Sequence, residues 1–131
     1  MSAKHTHDNG RVFLVNYHVV FVPKYRRKVL VGPVRERLLE LLYERVTELK
    51  GEIVAVEARP DHVHMFISMT PNLAPCEIVR LVKGYTSRVL RQEFPELRRM
   101  RSLWSPSYYL GTTGHTSSSV VQEYIERQTG L

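Results

Sequence analysis

Two helix-forming stretches, each opened by a proline and flanked by runs of β-branched and aromatic residues, constrain this chain more than any other feature. The first begins at Pro33, where the fixed φ of proline suits the start of a helix. Its apolar positions Val34, Leu38, Leu41, Leu42, Val46 and Leu49 recur at three and four residues, and Gly51 closes it. The second runs from Pro75 to about Phe94, with Ile78, Leu81, Val82, Tyr85 and Val89 as the expected buried stripe and Pro95 as its stop. Strands are expected at Phe13 to Val22 (FLVNYHVVFV), Ile53 to Ala58, His62 to Met69 and Tyr108 to Thr112. The stretch RPD turns the second of these into the third. Strand, helix, strand, strand, helix, strand is the order of the α+β ferredoxin-like split βαβ, an antiparallel sheet with both helices on one face. The other face is left open.

A chain of 131 residues builds one modest core, so residues 11–131 are expected to be a single domain behind a flexible polar tail, Met1 to Gly10. The lone Cys76 excludes an internal disulfide and argues against a thiolate metal cluster. No apolar run has the length of a membrane span, and the first ten residues lack a signal-peptide core, which together point to the cytoplasm and away from a membrane partner. The net charge of +6 favours a polyanionic partner such as nucleic acid, although charge alone selects none.

The third strand, HVHMFISM, carries two histidines where packing residues are expected. Successive strand side chains point to opposite faces, so Val63, Met65, Ile67 and Met69 form a core set beneath the helices. His62, His64, Phe66 and Ser68 then share the open face. The two imidazoles are expected roughly 6–7 Å apart along the strand, close enough to reach one divalent ion. His18 and Asn16 have the alternation to join them from the first strand. The pattern admits three readings: a metal pair, a DNA-contacting pair, or a wet strand face.

Near the end of the chain, Ser119 followed by Gln122 fits a capping box and starts a short helix from about Val120 to Gln128. Tyr124 and Gln128 lie four residues apart on one of its faces. So short a helix is marginal alone and must dock on something. In one reading Val121 and Ile125 dock and Tyr124 pads the contact; in the other, Tyr124 presents a phenol and Gln128 a carbonyl oxygen to the paired histidines.

Five blocks, YHVVFVPKYRRKVL, ARPDHVHMFIS, LVKGYTSRVLRQEFP, LWSPSYYLGTTGH and VVQEYIERQ, carry a resemblance across nearly the whole chain after the tail. The chain resembles the single-tyrosine HUH transposases, the TnpA type of small prokaryotic insertion sequences, together with their REP-associated tyrosine transposase relatives. HUH denotes His, hydrophobic residue, His. The resemblance implies that His62 and His64 bind a divalent metal, Mg2+ or Mn2+, that Gln128 supplies a third ligand, and that Tyr124 is the nucleophile. It further implies a homodimer acting on single-stranded DNA with subterminal hairpins, a 5′-phosphotyrosine intermediate, and a tyrosine helix that in many members serves the other subunit. Gly111 to Gly114 (GTTG) is then where the helix is expected to swing.

Lys24, Arg26, Arg27 and Lys28 in the first loop, Arg80, Lys83, Arg88 and Arg91 on the second helix, and Arg98, Arg99 and Arg101 after it are the expected phosphate-tracking set. Tyr25, Tyr108 and Tyr109 are available to stack on unpaired bases. Singly, each charge reads as solvated surface. Two other classes compete with the transposase. A nucleic-acid-binding module without chemistry asks for stacking aromatics on the central strands, where this chain places His62 and His64. A metal-dependent hydrolase asks for a carboxylate base beside the metal, and the nearest, Asp61, reads as a turn residue.

Overall fold

The computed structural model describes residues 15–112 and 124–127, together with the backbone pairing of 6–8 and 11–13. Thr6–Asp8 (β1) and Arg11–Phe13 (β2) form a small antiparallel ladder, with Asp8 opposite Arg11. Part of the expected tail is therefore paired. Two residues, Asn-Gly, separate the strands in the sequence, and that dipeptide strongly favours a hairpin connection. The ladder also claims Phe13, so the first strand of the main sheet, β3, is Val15–Phe21 rather than a run from Phe13.

The remaining elements are α1 (Gly32–Glu48), β4 (Glu52–Arg59), β5 (His62–Met69), α2 (Pro75–Glu93) and β6 (Tyr109–Thr112). The main sheet has the order β4-β5-β3-β6 with every neighbouring pair antiparallel. This is the ferredoxin-like arrangement expected from the element order. Tyr17, Val19 and Phe21 of β3 join Val63, Met65, Ile67 and Met69 of β5 in one core with the buried sides of both helices. Helix α1 buries Val34, Leu38, Leu41, Leu42 and Val46, as its periodicity requires.

Helix α2 is rotated by about one position from the expected stripe. It buries Ile78, Val79, Val82, Thr86 and Leu90, while Leu81, Tyr85 and Val89 lie at the margin. Tyr85 uses its hydroxyl to donate to Glu44 Oε1 on α1 at 3.0 Å. Thr86 is fully buried because its hydroxyl has partners: it donates within its own helix, 2.9 Å from the Val82 carbonyl oxygen, and accepts from Trp104 Nε1 at 3.0 Å. Hydrogen bonding removes most of the cost of burying that hydroxyl.

At the end of α1 the left-handed residue is Lys50, with φ 68, so Gly51 is not needed as the cap. Its constraint is close approach: a Cβ at Gly51 would fall 3.0 Å from the Ser68 carbonyl oxygen and onto the Met69 side chain. Among the described residues, no helix is long and apolar enough to cross a membrane.

Candidate active site

The open face of the sheet is built row by row from strand register. Residues directly opposite each other in an antiparallel pair project to the same side. Asn16 faces Ser68, His18 faces Phe66, and Val20 faces His64 across β3 and β5. On the other flank Glu57 of β4 lies opposite His64, and Arg59 opposite His62. Tyr109 and Gly111 of β6 continue the rows of Val20 and His18. His62, His64, His18 and Glu57 thus share one surface, away from the helices.

Each histidine has a distinct setting. The ring Nδ1 of His62 lies 2.9 Å from Oδ1 of Asp61. A carboxylate only accepts, so in the neutral ring Nδ1 carries the hydrogen and Nε2 keeps its lone pair. Asp61 is itself held by Arg26, whose Nε stands 3.0 Å from Oδ2. His64 stacks on His18 with ring centroids 4.1 Å apart, and the Nε2 atoms of the two rings share a hydrogen bond. Burial lowers the pKa of both; for His64 the neighbouring His18 adds to the effect, against an opposing pull from Glu57. Both rings are therefore neutral at neutral pH.

Residues 124–127 are helical and sit on this same face of their own chain. Ile125, 6% exposed, covers Val20, which has no exposure at all. Tyr124 packs beside Tyr109, ring centroids 6.4 Å apart, and its hydroxyl shares a hydrogen bond of 3.2 Å with Ser107 Oγ. Burial raises the phenol's pKa, and the Ser107 hydroxyl partly offsets that. Tyr109, Val20 and His64 stand in one row. Strand β6, which carries the phenol's neighbour, is thus two strand spacings, about 10 Å, from the histidine strand. Ile125 docks this turn, and Tyr124 packs beside it against Tyr109 on the histidine side of the sheet, its hydroxyl meeting Ser107. Gln128, the capping pair Ser119 and Gln122, and the second half of GTTG lie outside the described residues. The first half, Gly111 and Thr112, belongs to β6 and pairs with His18 and Tyr17, so any swing begins beyond it.

The basic residues fall into two groups. The turn Lys24–Arg26 sends Arg26 inward, while Tyr25, Arg27 and Lys28 are exposed and Lys24 and Arg27 flank the Tyr25 ring at 5.8 Å. Arg80, Lys83, Arg88 and Arg91 line a groove of about 940 Å³ with Arg98, Trp104 and Tyr108, along the α2 side. Within it, Arg80 pairs with Glu77 at 2.7 Å and Arg88 lies 5.5 Å from the Tyr85 ring. Lys83 donates to the carbonyl oxygens of Ser105 at 2.6 Å and Ser107 at 3.1 Å. Its ammonium staples the segment that carries Ser107. Arg99 and Arg101, with Lys24, Tyr25 and Arg27, border a separate smaller pocket.

Sequence reasoning missed Glu57, Ser107 and the inward turn of Arg26. Glu57 was within reach of counting: Arg59 opposite His62 leaves a two-residue turn, Pro60-Asp61, which puts Glu57 beside His64. Ser107 and Arg26 carry no local signal of their roles. Among the described residues no three His, Cys, Asp or Glu side chains form a metal cage. The residues present still fit a divalent cation as a partial donor set: two imidazoles on an accessible strand face, one braced by a carboxylate as metal-binding histidines commonly are.

The fold is that of a ferredoxin-like α+β protein, with the paired histidines and the Tyr124 turn on the uncovered side of its sheet. The chain belongs to the family of IS200-like transposases, which it matches over residues 11–128. It is 34% identical over 122 residues to the ISDra2 transposase TnpA of Deinococcus radiodurans, covering 91% of this chain and 87% of that one. It is also 31% identical over 115 residues to the transposase for insertion sequence element IS200 of Salmonella typhimurium, covering 86% and 75%. A Deinococcus radiodurans R1 crystal structure, put forward as a transposase, superposes with a TM-score of 0.87 at 32% identity, covering 96% of this chain and 99% of that one. The structure of a REP-associated tyrosine transposase bound to a REP hairpin shares the fold, with a TM-score of 0.59 at 12% identity over 86% of this chain and 62% of that one.

Proposed function

We propose that this transposase cleaves and rejoins single-stranded DNA at insertion-sequence ends through Tyr124, with Mg2+ or Mn2+ held by His62, His64 and Gln128. The observation that carries the reading is the shared face: the tyrosine turn packs on Val20, in the row that contains His64. When bound, the cation polarises a non-bridging phosphate oxygen and offsets the charge that grows in the transition state.

The chain's own residues do the rest. The Tyr124 hydroxyl oxygen attacks phosphorus, the bond from phosphorus to the 3′-oxygen breaks, and the phenol proton ends on the released 3′-oxygen. The products are a 5′-phosphotyrosine and a free 3′-hydroxyl. Because the new ester keeps the energy of the old one, a 3′-hydroxyl reverses the step without a nucleotide cofactor. Asp61 fixes the tautomer of His62 so that Nε2 keeps its lone pair, and the lowered pKa values of His18 and His64 favour their uncharged rings. Where it packs against Tyr109, burial raises the pKa of the Tyr124 phenol, and the Ser107 hydroxyl partly offsets that. Exposed Arg27 and Lys28, with Tyr25 at 57% exposure, suit a phosphate backbone and an unpaired base, and Lys28 borders a pocket shared with His62. The substrate in this reading carries subterminal hairpins, the working form is a homodimer, and the compartment is the cytoplasm.

The test is an adduct. The protein is incubated with Mn2+ and a single-stranded oligonucleotide carrying its element's end, then run on a denaturing gel. Wild type gives a covalent protein–DNA band; Tyr124→Phe gives none; His62→Ala gives none while still binding DNA. Cleavage by Tyr124→Phe at the wild-type rate would mean that Tyr124 is not the nucleophile.

A further inference from the structure

We propose that Arg26 is a positioning residue that ties His62 of the histidine pair to the tyrosine turn. The inference rests on the roles proposed above for His62 and Tyr124 and adds a coupling between them. One guanidinium reaches both parts of the site. Its Nε donates to Oδ2 of Asp61 at 3.0 Å, and Oδ1 of that same carboxylate accepts from Nδ1 of His62 at 2.9 Å. Its Nη1 donates to the carbonyl oxygen of Ile125, the residue next to Tyr124, at 3.2 Å. The described bonds thus run unbroken from the turn that carries the phenol to the ring of His62.

The backbone around Arg26 supports the assignment independently. Tyr25 and Arg26 have φ values of 59 and 52, a left-handed region that residues with a Cβ avoid. The conformation is pinned at both ends, by Lys24 N donating to the Leu103 carbonyl at 2.9 Å and Arg26 N donating to the Pro23 carbonyl at 2.7 Å. Its effect is to separate neighbours in a basic run: Tyr25, Arg27 and Lys28 face solvent, and Arg26 turns inward. A residue serving only as a solvated phosphate contact needs no such turn. The planar fork of arginine has donors in two fixed directions, which the compact ammonium of lysine does not reproduce.

The experiment compares wild type with Arg26→Gln and Arg26→Lys, each confirmed as folded by its thermal transition. Four quantities are read: affinity for Mn2+ alone by calorimetry, affinity for the single-stranded oligonucleotide, hydrogen–deuterium exchange of the peptide spanning residues 124–127, and single-turnover adduct formation at saturating single-stranded DNA. Arg26→Gln is expected to weaken Mn2+ binding by about tenfold, the usual scale for losing an outer partner of a metal-binding histidine. Exchange of the terminal peptide accelerates, and the adduct rate at saturating DNA falls by about tenfold or more. Arg26→Lys, which keeps the charge but not the fork, restores neither Mn2+ affinity nor exchange protection. In combination with Asp61→Asn, the loss in Mn2+ affinity is less than the sum of the single losses, because both changes cut the same chain. Unchanged Mn2+ affinity and unchanged exchange in Arg26→Gln would overturn the proposal, as would full rescue of both by lysine. A loss of DNA affinity alone would make Arg26 a phosphate contact and overturn it equally. The Mn2+ and exchange readings do not depend on the nucleophile, so they stand or fall separately from the Tyr124→Phe adduct test.

Discussion

Asp61 and His62 are neighbours in sequence, yet their side chains meet across the turn that opens β5, with Oδ1 of the carboxylate 2.9 Å from Nδ1 of the ring. That bond decides which imidazole nitrogen faces the open side. Without it the ring is free to swap tautomers and rotate. Asp61→Ala is therefore expected to weaken Mn2+ binding about 10- to 100-fold while the main sheet stays intact. Calorimetric titration with Mn2+ in the absence of DNA checks the first part, and the thermal transition checks the second. Equal affinity in the variant would remove Asp61 from the site.

Tyr124 meets Ser107 through their hydroxyls, and the two influences on the phenol oppose each other. Burial raises its pKa and is the larger; the Ser107 hydroxyl, by bonding to the phenolate, lowers it. Ser107→Ala is expected to push the phenol further up, seen as a later rise of the phenolate ultraviolet absorbance once the signal of the matching Tyr124→Phe variant is subtracted. The sign for docking follows. A phenol whose docked pKa exceeds its free value stabilises docking at pH values below the free pKa, about 10. That contribution is lost as pH rises through the raised value. The protection of the 124–127 peptide, taken relative to the base-catalysed intrinsic exchange rate at each pH, should fall over that alkaline window and not below it.

Lys83 gives a pH dependence of opposite sign. Burial brings its ammonium down from 10.5 to about 8, even though it donates to two carbonyl oxygens. Between about 8 and 10.5 the unfolded chain binds a proton that the folded protein has released, so stability rises with pH across that window. Below about 8 both states hold the proton and the fold bears the desolvation. Urea unfolding of wild type and Lys83→Met at several pH values isolates this group from the others. The wild-type-minus-variant difference is expected to grow in favour of wild type from pH 8 to 10.5; a flat difference would contradict the shift.

What the sequence made legible tracks what depends on strict period. The alternation of HVHMFISM placed Val63, Met65, Ile67 and Met69 in the core and His62 and His64 opposite, and each is where the period put it. The spacing of α1 was equally readable, because all its buried positions are plain aliphatics. The stripe of α2 was not. A pattern of apolar residues places Tyr85 inside and Thr86 outside, yet a tyrosine hydroxyl seeks the rim and a threonine with two partners tolerates the core. The histidine pair was visible as a short motif and Tyr124 through the family resemblance, and Glu57 follows from the short turn before His62, but Arg26 and Ser107 join the site only through pairings between segments apart in the chain. Such pairings leave no periodic trace in the residues themselves.

Thr86 turns that last point into a measurable cost. Its hydroxyl is the acceptor for Nε1 of Trp104, a ring that is 3% exposed and packs edge-on against Phe21, ring centroids 4.6 Å apart. Thr86→Val keeps the volume and the β-branch but strips the indole of its described partner. An unsatisfied buried donor costs about 1–3 kcal/mol, more than a methyl regains in a site already filled. Chemical denaturation should show a loss of that size with an unchanged slope, since the surface exposed on unfolding is the same. Trp104, the only tryptophan in the chain, reports the transition by its own fluorescence. A variant as stable as wild type would mean that the hydroxyl does not hold the ring, and the rotation of α2 would need another cause.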